Sequence, residues 1–110
     1  MTFLYLNKDT MGFGDPELGR NLLVSFLKNL VESEQKIDMI GCVNAGINLT
    51  TEAGEALELL KRLESNGTMI ATCGTCLDYH NKRDKLLIGA VGSMPQMVEI
   101  IGKAGKIIQL

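Results

Sequence analysis

Proline is scarce in this sequence, and long apolar runs are missing. Two prolines among 110 residues, beside 45% hydrophobic and 22% charged residues, exclude a disordered or linker-like chain. The first apolar run, Phe3 to Leu6, meets Asn7-Lys8-Asp9 at once and is too short for a signal-peptide core. The longest later stretch, Leu86 to Val91, falls far short of the ~20 residues that cross a bilayer. Excess positive charge is lacking too. Eleven basic residues face thirteen acidic ones, a net charge of -2, so neither nucleic acid nor an anionic membrane is an expected partner. The three cysteines are an odd number, which argues against a secreted disulfide framework and for reduced thiols in a cytoplasmic protein. The length leads us to expect one domain, residues 1–110, able to bury roughly two-thirds of its unfolded surface without a staple.

Short apolar runs alternate with helical periodicity. Phe3–Leu6 reads as a buried strand. Asp15 is the expected N-cap of a helix with Pro16 at its first position and Glu17 behind it. Leu18, Leu22, Leu23, Phe26, Leu27, Leu30 and Val31 recur at three- and four-residue spacing along that helix. Ile37–Val43 reads as a second strand. Thr51 is the expected cap of a helix with stripe Ala53, Ala56, Leu57, Leu60 and Leu63. Glu58 and Arg62 form its i,i+4 pair, and Ser65-Asn66-Gly67 stops it. Thr68–Thr72 and Leu86–Gly89 are the third and fourth expected strands. Ser93 and Pro95 start a helix carrying Met94, Met97, Val98 and Ile101. Gly105 ends it before a last strand at Lys106-Ile107-Ile108. Apolar strands separated by amphipathic helices predict an α/β fold, with a mostly parallel sheet covered on both faces. Sites in such folds form beyond the carboxyl ends of the strands, here the loops Asn7–Asp15, Asn44–Thr50, Cys73–Arg83 and Ala90–Met94.

Several chemistries fail on what these loops lack. The first loop has Gly12 and Gly14, but the third glycine of a dinucleotide fingerprint would fall on Glu17, and the second strand ends in Cys42-Val43 with no acidic residue for a ribose. No Walker A sequence, Ser-His-Asp arrangement or carboxylate pair is present. Zinc would need Cys73, Cys76, His80 and Cys42 together, without the second C-x-x-C or His pair that marks such sites, so no metal and no cofactor is expected. Cys42, inside an apolar strand, reads as a small core residue. The third loop carries the chemistry: Cys73-Gly74-Thr75-Cys76 follows a buried strand directly and enters a short helix. A thiol at a helix start is stabilised as thiolate by backbone N–H groups, and Lys82, Arg83 and Lys85 add positive charge nearby.

Three motifs in order carry a resemblance. Asp9-Thr-Met-Gly12-x-Gly14-x-x-Glu17-Leu-Gly19-Arg20, then Asn44-x-Gly46-x-x-Leu49, then Cys73-Gly-Thr-Cys76-Leu77 closely resemble the DsrE-like superfamily. Within it they are most similar to the C-terminal domain of YedF-type proteins, which are sulfurtransferase-like and associated with selenium metabolism. The resemblance implies a three-layer α/β/α sandwich with a largely parallel sheet of about five strands. It also implies a persulfide on a cysteine after the third strand, a homo-oligomer, and a sulfur-carrier partner such as a TusA/SirA-like domain. The Cys-Pro-x-Pro turn that marks such a domain does not occur in these 110 residues.

The expected function is a sulfur-relay or selenium-related carrier with Cys73 and Cys76 as its working pair. Gly12, Gly14, Asn44, Gly46, Gly74, Thr75, Ser93 and Met94 are expected to line the crevice. A thiol–disulfide redox module would use the same pair but lacks the proline opposite the site that thioredoxin folds use. A non-enzymatic oligomeric interaction domain would keep its function without either cysteine.

Overall fold

The computed structural model describes residues 1–110. Its elements follow in the order β1 (Thr2–Leu6), α1 (Pro16–Glu32), β2 (Met39–Cys42), a 3-10 turn (Asn44–Ile47), α2 (Asn48–Thr51), α3 (Glu55–Ser65), β3 (Met69–Cys73), α4 (Gly74–Tyr79), a second 3-10 turn (Arg83–Lys85), β4 (Ala90–Gly92), α5 (Met94–Lys103) and β5 (Lys106–Gln109). All strand pairs are parallel, in the order β4-β3-β2-β1-β5. This is the parallel, five-stranded α/β architecture expected from the sequence.

Right-handed crossovers decide which face each helix covers. From β1 to β2 to β3 to β4 the chain steps in one direction, so the intervening helices share one face. The step from β4 to β5 reverses and crosses the whole sheet, which sends α5 to the other side. The register assigns side chains to match. Leu4, Leu6, Ile40, Cys42 and Ile70 point to the first face and form a core with Leu23, Leu27 and Leu30 of α1 and Leu57, Leu60 and Leu63 of α3. Phe3, Met39, Met69, Ala71 and Cys73 point to the second, where α5 contributes no fully buried residue.

Local chemistry at the helix ends follows the sequence closely. The Asp15 carboxylate accepts the Leu18 N–H at 2.8 Å, with Pro16 opening the helix. Ser93 and Gln96 form a reciprocal capping box, the Ser93 hydroxyl accepting the Gln96 N–H while the Gln96 side chain accepts the Ser93 N–H.

Four expectations need correction. Leu86–Gly89 is not a strand. Ile88 is buried as part of a loop, the Leu87 N–H bonds the Thr50 carbonyl at 2.9 Å, and Gly89 turns at φ 72 before pairing begins at Ala90. Thr51 caps nothing: its hydroxyl donates to the Ile47 carbonyl at 2.9 Å, and it closes α2, while α3 begins behind Gly54. Glu58 pairs with Lys61 at 3.4 Å rather than with Arg62. Leu18 and Leu22 stay exposed although they continue the apolar stripe of α1. Gly19 is the buried residue between them, since a Cβ there would stand 2.8 Å from the Thr10 Cβ.

Gly46 sits against the carboxyl end of β1. A Cβ there would lie 2.1 Å from the Leu6 carbonyl oxygen, a backbone atom that cannot swing aside. Gly46→Ala is expected to cost about 1–3 kcal/mol, the usual range for overpacking. Gly102, in the last turn of α5 with nothing near its missing Cβ, is expected to gain about 0.5–1 kcal/mol as alanine. Urea unfolding of both variants checks the pair, and a neutral Gly46→Ala would refute the close approach.

Candidate functional site

The β3 strand ends on Cys73, and the chain turns into α4 with no intervening loop. Cys73 is the N-cap, its Sγ accepting the Cys76 N–H at 3.4 Å. Opposite, Asn44 leaves β2 in the left-handed region at φ 51 and donates its own N–H to the Cys76 Sγ at 3.2 Å. Asparagine is among the few residues that take this conformation readily. Each thiol of the pair therefore receives one backbone N–H. Gly74 fits because a Cβ would meet the Arg83 Nη2 and the Val91 Cγ1, each at 2.9 Å.

All three cysteines are free, but they are not equivalent. Burial pushes the Cys42 thiol up to about 12, so it stays protonated and inert at neutral pH. Partial burial also raises Cys76 above its ordinary value. The Asn44 N–H works against that shift, while the neighbouring Cys73 adds to it through its hydrogen bond and charge.

Two of the three nearby cations are already engaged, and Lys85 is exposed with no side-chain partner. Lys82 Nζ binds the Asn48 side-chain oxygen at 2.8 Å and Glu52 at 3.1 Å, and Asn48 Nδ2 in turn donates to Asp9 at 3.1 Å. This chain of polar contacts ties the segments that follow β1, β2 and β3. Arg83 forks onto Asp78 at 2.7 and 3.0 Å, and the hydrogen bond holds the Asp78 carboxyl below the usual carboxylate range. The positive field expected from Lys82 and Arg83 is thus met by Glu52 and Asp78 before it reaches the thiols. Sequence reasoning missed Asp9, Asn48 and Glu52, because nothing local marks partners that lie 30 to 39 residues from the residues they hold.

The crevice has a specific place. β3 leads to α4 on the covered face and β4 leads to α5 on the other, so the connections diverge between Cys73 and its register partner Gly92. From there a groove of about 590 Å³ runs along the second sheet face beside α5. Cys73, Ser93 and Met94 border it. Five of the six methionines do so as well: Met1, Met39, Met69, Met94 and Met97. Asn44 meets Cys76 from the opposite side. Gly12 and Gly14 lie in an exposed loop apart from the groove, Gly46 packs on Leu6, and Thr75 is exposed on α4. No three His, Cys, Asp or Glu side chains converge as metal ligands. His80 instead stands edge-on to Tyr79, ring centroids 5.0 Å apart. No helix is long and apolar enough to cross a membrane.

Comparison with known proteins reaches the fold. No family model and no curated protein matches the chain. Two solved structures superpose on nearly all of it, and both have the DsrE-like fold, which this chain shares. One is MTH1491 from Methanobacterium thermoautotrophicum, a protein of unknown function, with a TM-score of 0.71 at 19% identity, covering 99% of this chain and 97% of that one. The other is the ychN protein from E. coli, with a TM-score of 0.65 at 13% identity and the same coverage.

The buried thiol makes a pH prediction. The Cys42 pKa is higher in the folded than in the unfolded chain, so folding favours the protonated form. Its contribution is complete below the ordinary value of 9.0 and is lost as pH rises toward about 12. Between these limits wild-type stability is expected to fall relative to Cys42→Ala by up to about 1.4 kcal/mol per pH unit. Urea unfolding of both proteins at pH 8.5 and 10.5 measures the gap, and a pH-independent difference would contradict it.

Proposed function

We propose that this protein is a sulfur-relay carrier that holds a persulfide on Cys73 of the Cys73-Gly-Thr-Cys76 segment. The supporting observation is the contrast among the thiols. Cys42 is sealed in the core, whereas Cys73 and Cys76 are half-buried together at the diverging crevice, each facing a backbone N–H. Such donors stabilise a sulfur anion without adding a formal charge.

The chemistry balances without an external oxidant. The Cys73 thiolate attacks the outer sulfur of a donor persulfide, a sulfur–sulfur bond to the donor breaks, and the donor leaves as a thiolate. An acceptor thiolate then takes the same sulfur from Cys73 by the same exchange, and Cys73 departs as thiolate. Alternatively Cys76 attacks the inner sulfur on Cys73. Hydrosulfide then leaves, the two cysteines become a disulfide, and a dithiol reductant is needed to reset the pair. Selenium-related chemistry would use the same thiol. The YedF-like motifs favour a TusA/SirA-type carrier as partner, a homo-oligomer and a reducing, cytoplasmic setting, where free thiols persist. A thiol–disulfide module would use the disulfide step alone.

Incubation with a persulfide donor followed by intact mass measurement tests the proposal. Wild type is expected to gain the mass of one sulfur atom, and Cys73→Ser to load at least tenfold less. Cys76→Ser is expected to load but release no hydrosulfide until an external thiol is added. Equal loading of a Cys73→Ser/Cys76→Ser double variant would refute the carrier. Rapid disulfide exchange without any sulfur uptake would favour the redox module.

A further inference from the structure

Two free thiols in one short segment are a ligand pair as well as a nucleophile pair. Cys73 and Cys76 are both half-buried and unbridged. The Cys73 Sγ accepts the Cys76 N–H at 3.4 Å, which brings the first sulfur over the base of the second residue, and the two side chains also hydrogen-bond to each other. No hard ligand joins them. Cys42 is sealed in the core on the other side of the sheet. Asp78 is held by Arg83 at 2.7 Å, and no three His, Cys, Asp or Glu side chains converge. Most of the groove methionines are out of reach too. Met69 stands at the start of β3, four residues before Cys73 and about 13 Å away along the strand, with Met39 as its register partner. Met94 is the exception. It follows closely on Gly92, the strand partner of Cys73, and its thioether is another soft donor.

We propose that Cys73 and Cys76 bind one Cu(I) ion as a dithiolate chelate. A ligand set of two sulfurs selects by number and by softness. Structural zinc needs a full tetrahedral set, and calcium or magnesium a shell of oxygens, neither of which surrounds this pair. Cu(I) is soft and monovalent, and thiolate and thioether sulfurs are the donors that select it. The binding step balances simply. The ion displaces both thiol protons to solvent, no electron is transferred, and the chelate keeps a single negative charge. That charge lies on sulfurs that already accept backbone N–H groups, Cys73 from Cys76 at 3.4 Å and Cys76 from Asn44 at 3.2 Å. A Cys73 sulfur that holds Cu(I) has no free lone pair with which to attack a persulfide, so copper inhibits sulfur loading. This consequence rests on the carrier function proposed above, whereas the binding itself does not.

Anaerobic titration of the reduced chain with Cu(I), against the Cu(I) chelator bicinchoninate in modest excess, tests the site. Native mass measurement is expected to show one retained ion per 12.0 kDa chain. Cys73→Ser and Cys76→Ser are each expected to lose the ion to the chelator, while Cys42→Ala, in the core, keeps it. On wild type, bound copper is expected to protect Cys73 and Cys76 from alkylation, read by peptide mass, so the test does not depend on how well the serine variants fold. No ion retained, one ion shared by two chains, unprotected thiols, or retention by a Cys73→Ser/Cys76→Ser double variant would overturn the proposal. Loss of the ion from Met39→Leu/Met69→Leu would do the same by moving the site into the groove. Zn(II) held as tightly as Cu(I) in a parallel titration would overturn the selectivity. No sulfur donor enters these measurements. A chain that binds Cu(I) but takes up no sulfur would overturn the carrier alone.

Discussion

The handedness of parallel crossovers governs this molecule. Once β1, β2, β3 and β4 are laid down in one direction, their connecting helices have no choice of face, and the single reversal to β5 has no choice but the other. That rule places the large leucine-rich core on one side and leaves one amphipathic helix to serve the other. It also creates the divergence between β3 and β4. A crevice opens there because neighbouring chain ends turn away from each other, and Cys73 is the last residue of the strand on its edge. The thiol's location is a consequence of topology before it is a matter of side-chain chemistry.

Local strain and close approach then tune that position. Asn44 turns left-handed one residue beyond β2, which points a backbone N–H at the Cys76 sulfur. Gly46, two residues on, lets the turn lie against the Leu6 carbonyl. The Asp9–Asn48–Lys82–Glu52 contacts hold the same turn to the segments around it. Burial and the neighbouring Cys73 raise the Cys76 thiol, and the Asn44 N–H lowers it. Opposing causes therefore meet at Cys76, whereas burial alone acts on Cys42.

Much of this was legible in the chain, and the failures have physical causes. The first three strands read well because they leave short apolar runs, and the first and last helix starts read well because Asp15 and Ser93 cap locally. Leu86–Ile88 misled because an apolar run reports burial and says nothing of hydrogen-bond pairing. Only Ile88 packs into the core, from a loop, while Leu87 is half exposed. Thr51 misled because a hydroxyl serves an N-cap and a helix interior equally, and here it bonds backward to Ile47. Leu18 and Leu22 continue a stripe that the chain itself does not cover. The C-x-x-C segment and its strand-end position were readable, since spacing and punctuation are local. The methionine groove was not, because Met39, Met69 and Met97 are brought together only by register and by the α5 crossover.

The two thiols stand on opposite sides of one boundary. Cys73 borders the groove on the open face, while Cys76, three residues on in α4, does not touch that groove and turns its sulfur to Asn44 over the loop crest. A residue pair placed only to form a structural disulfide would have no need of two such different surroundings. For a group passed between molecules the difference matters, because the site that receives it and the site from which it leaves need not be reached by the same route. The hydrogen bond from the Cys76 N–H to the Cys73 sulfur joins the two environments through a single backbone donor. The two sulfurs also act on each other directly, since the Cys73 side chain raises the Cys76 thiol through its hydrogen bond and charge, so a change of charge at one is felt at the other.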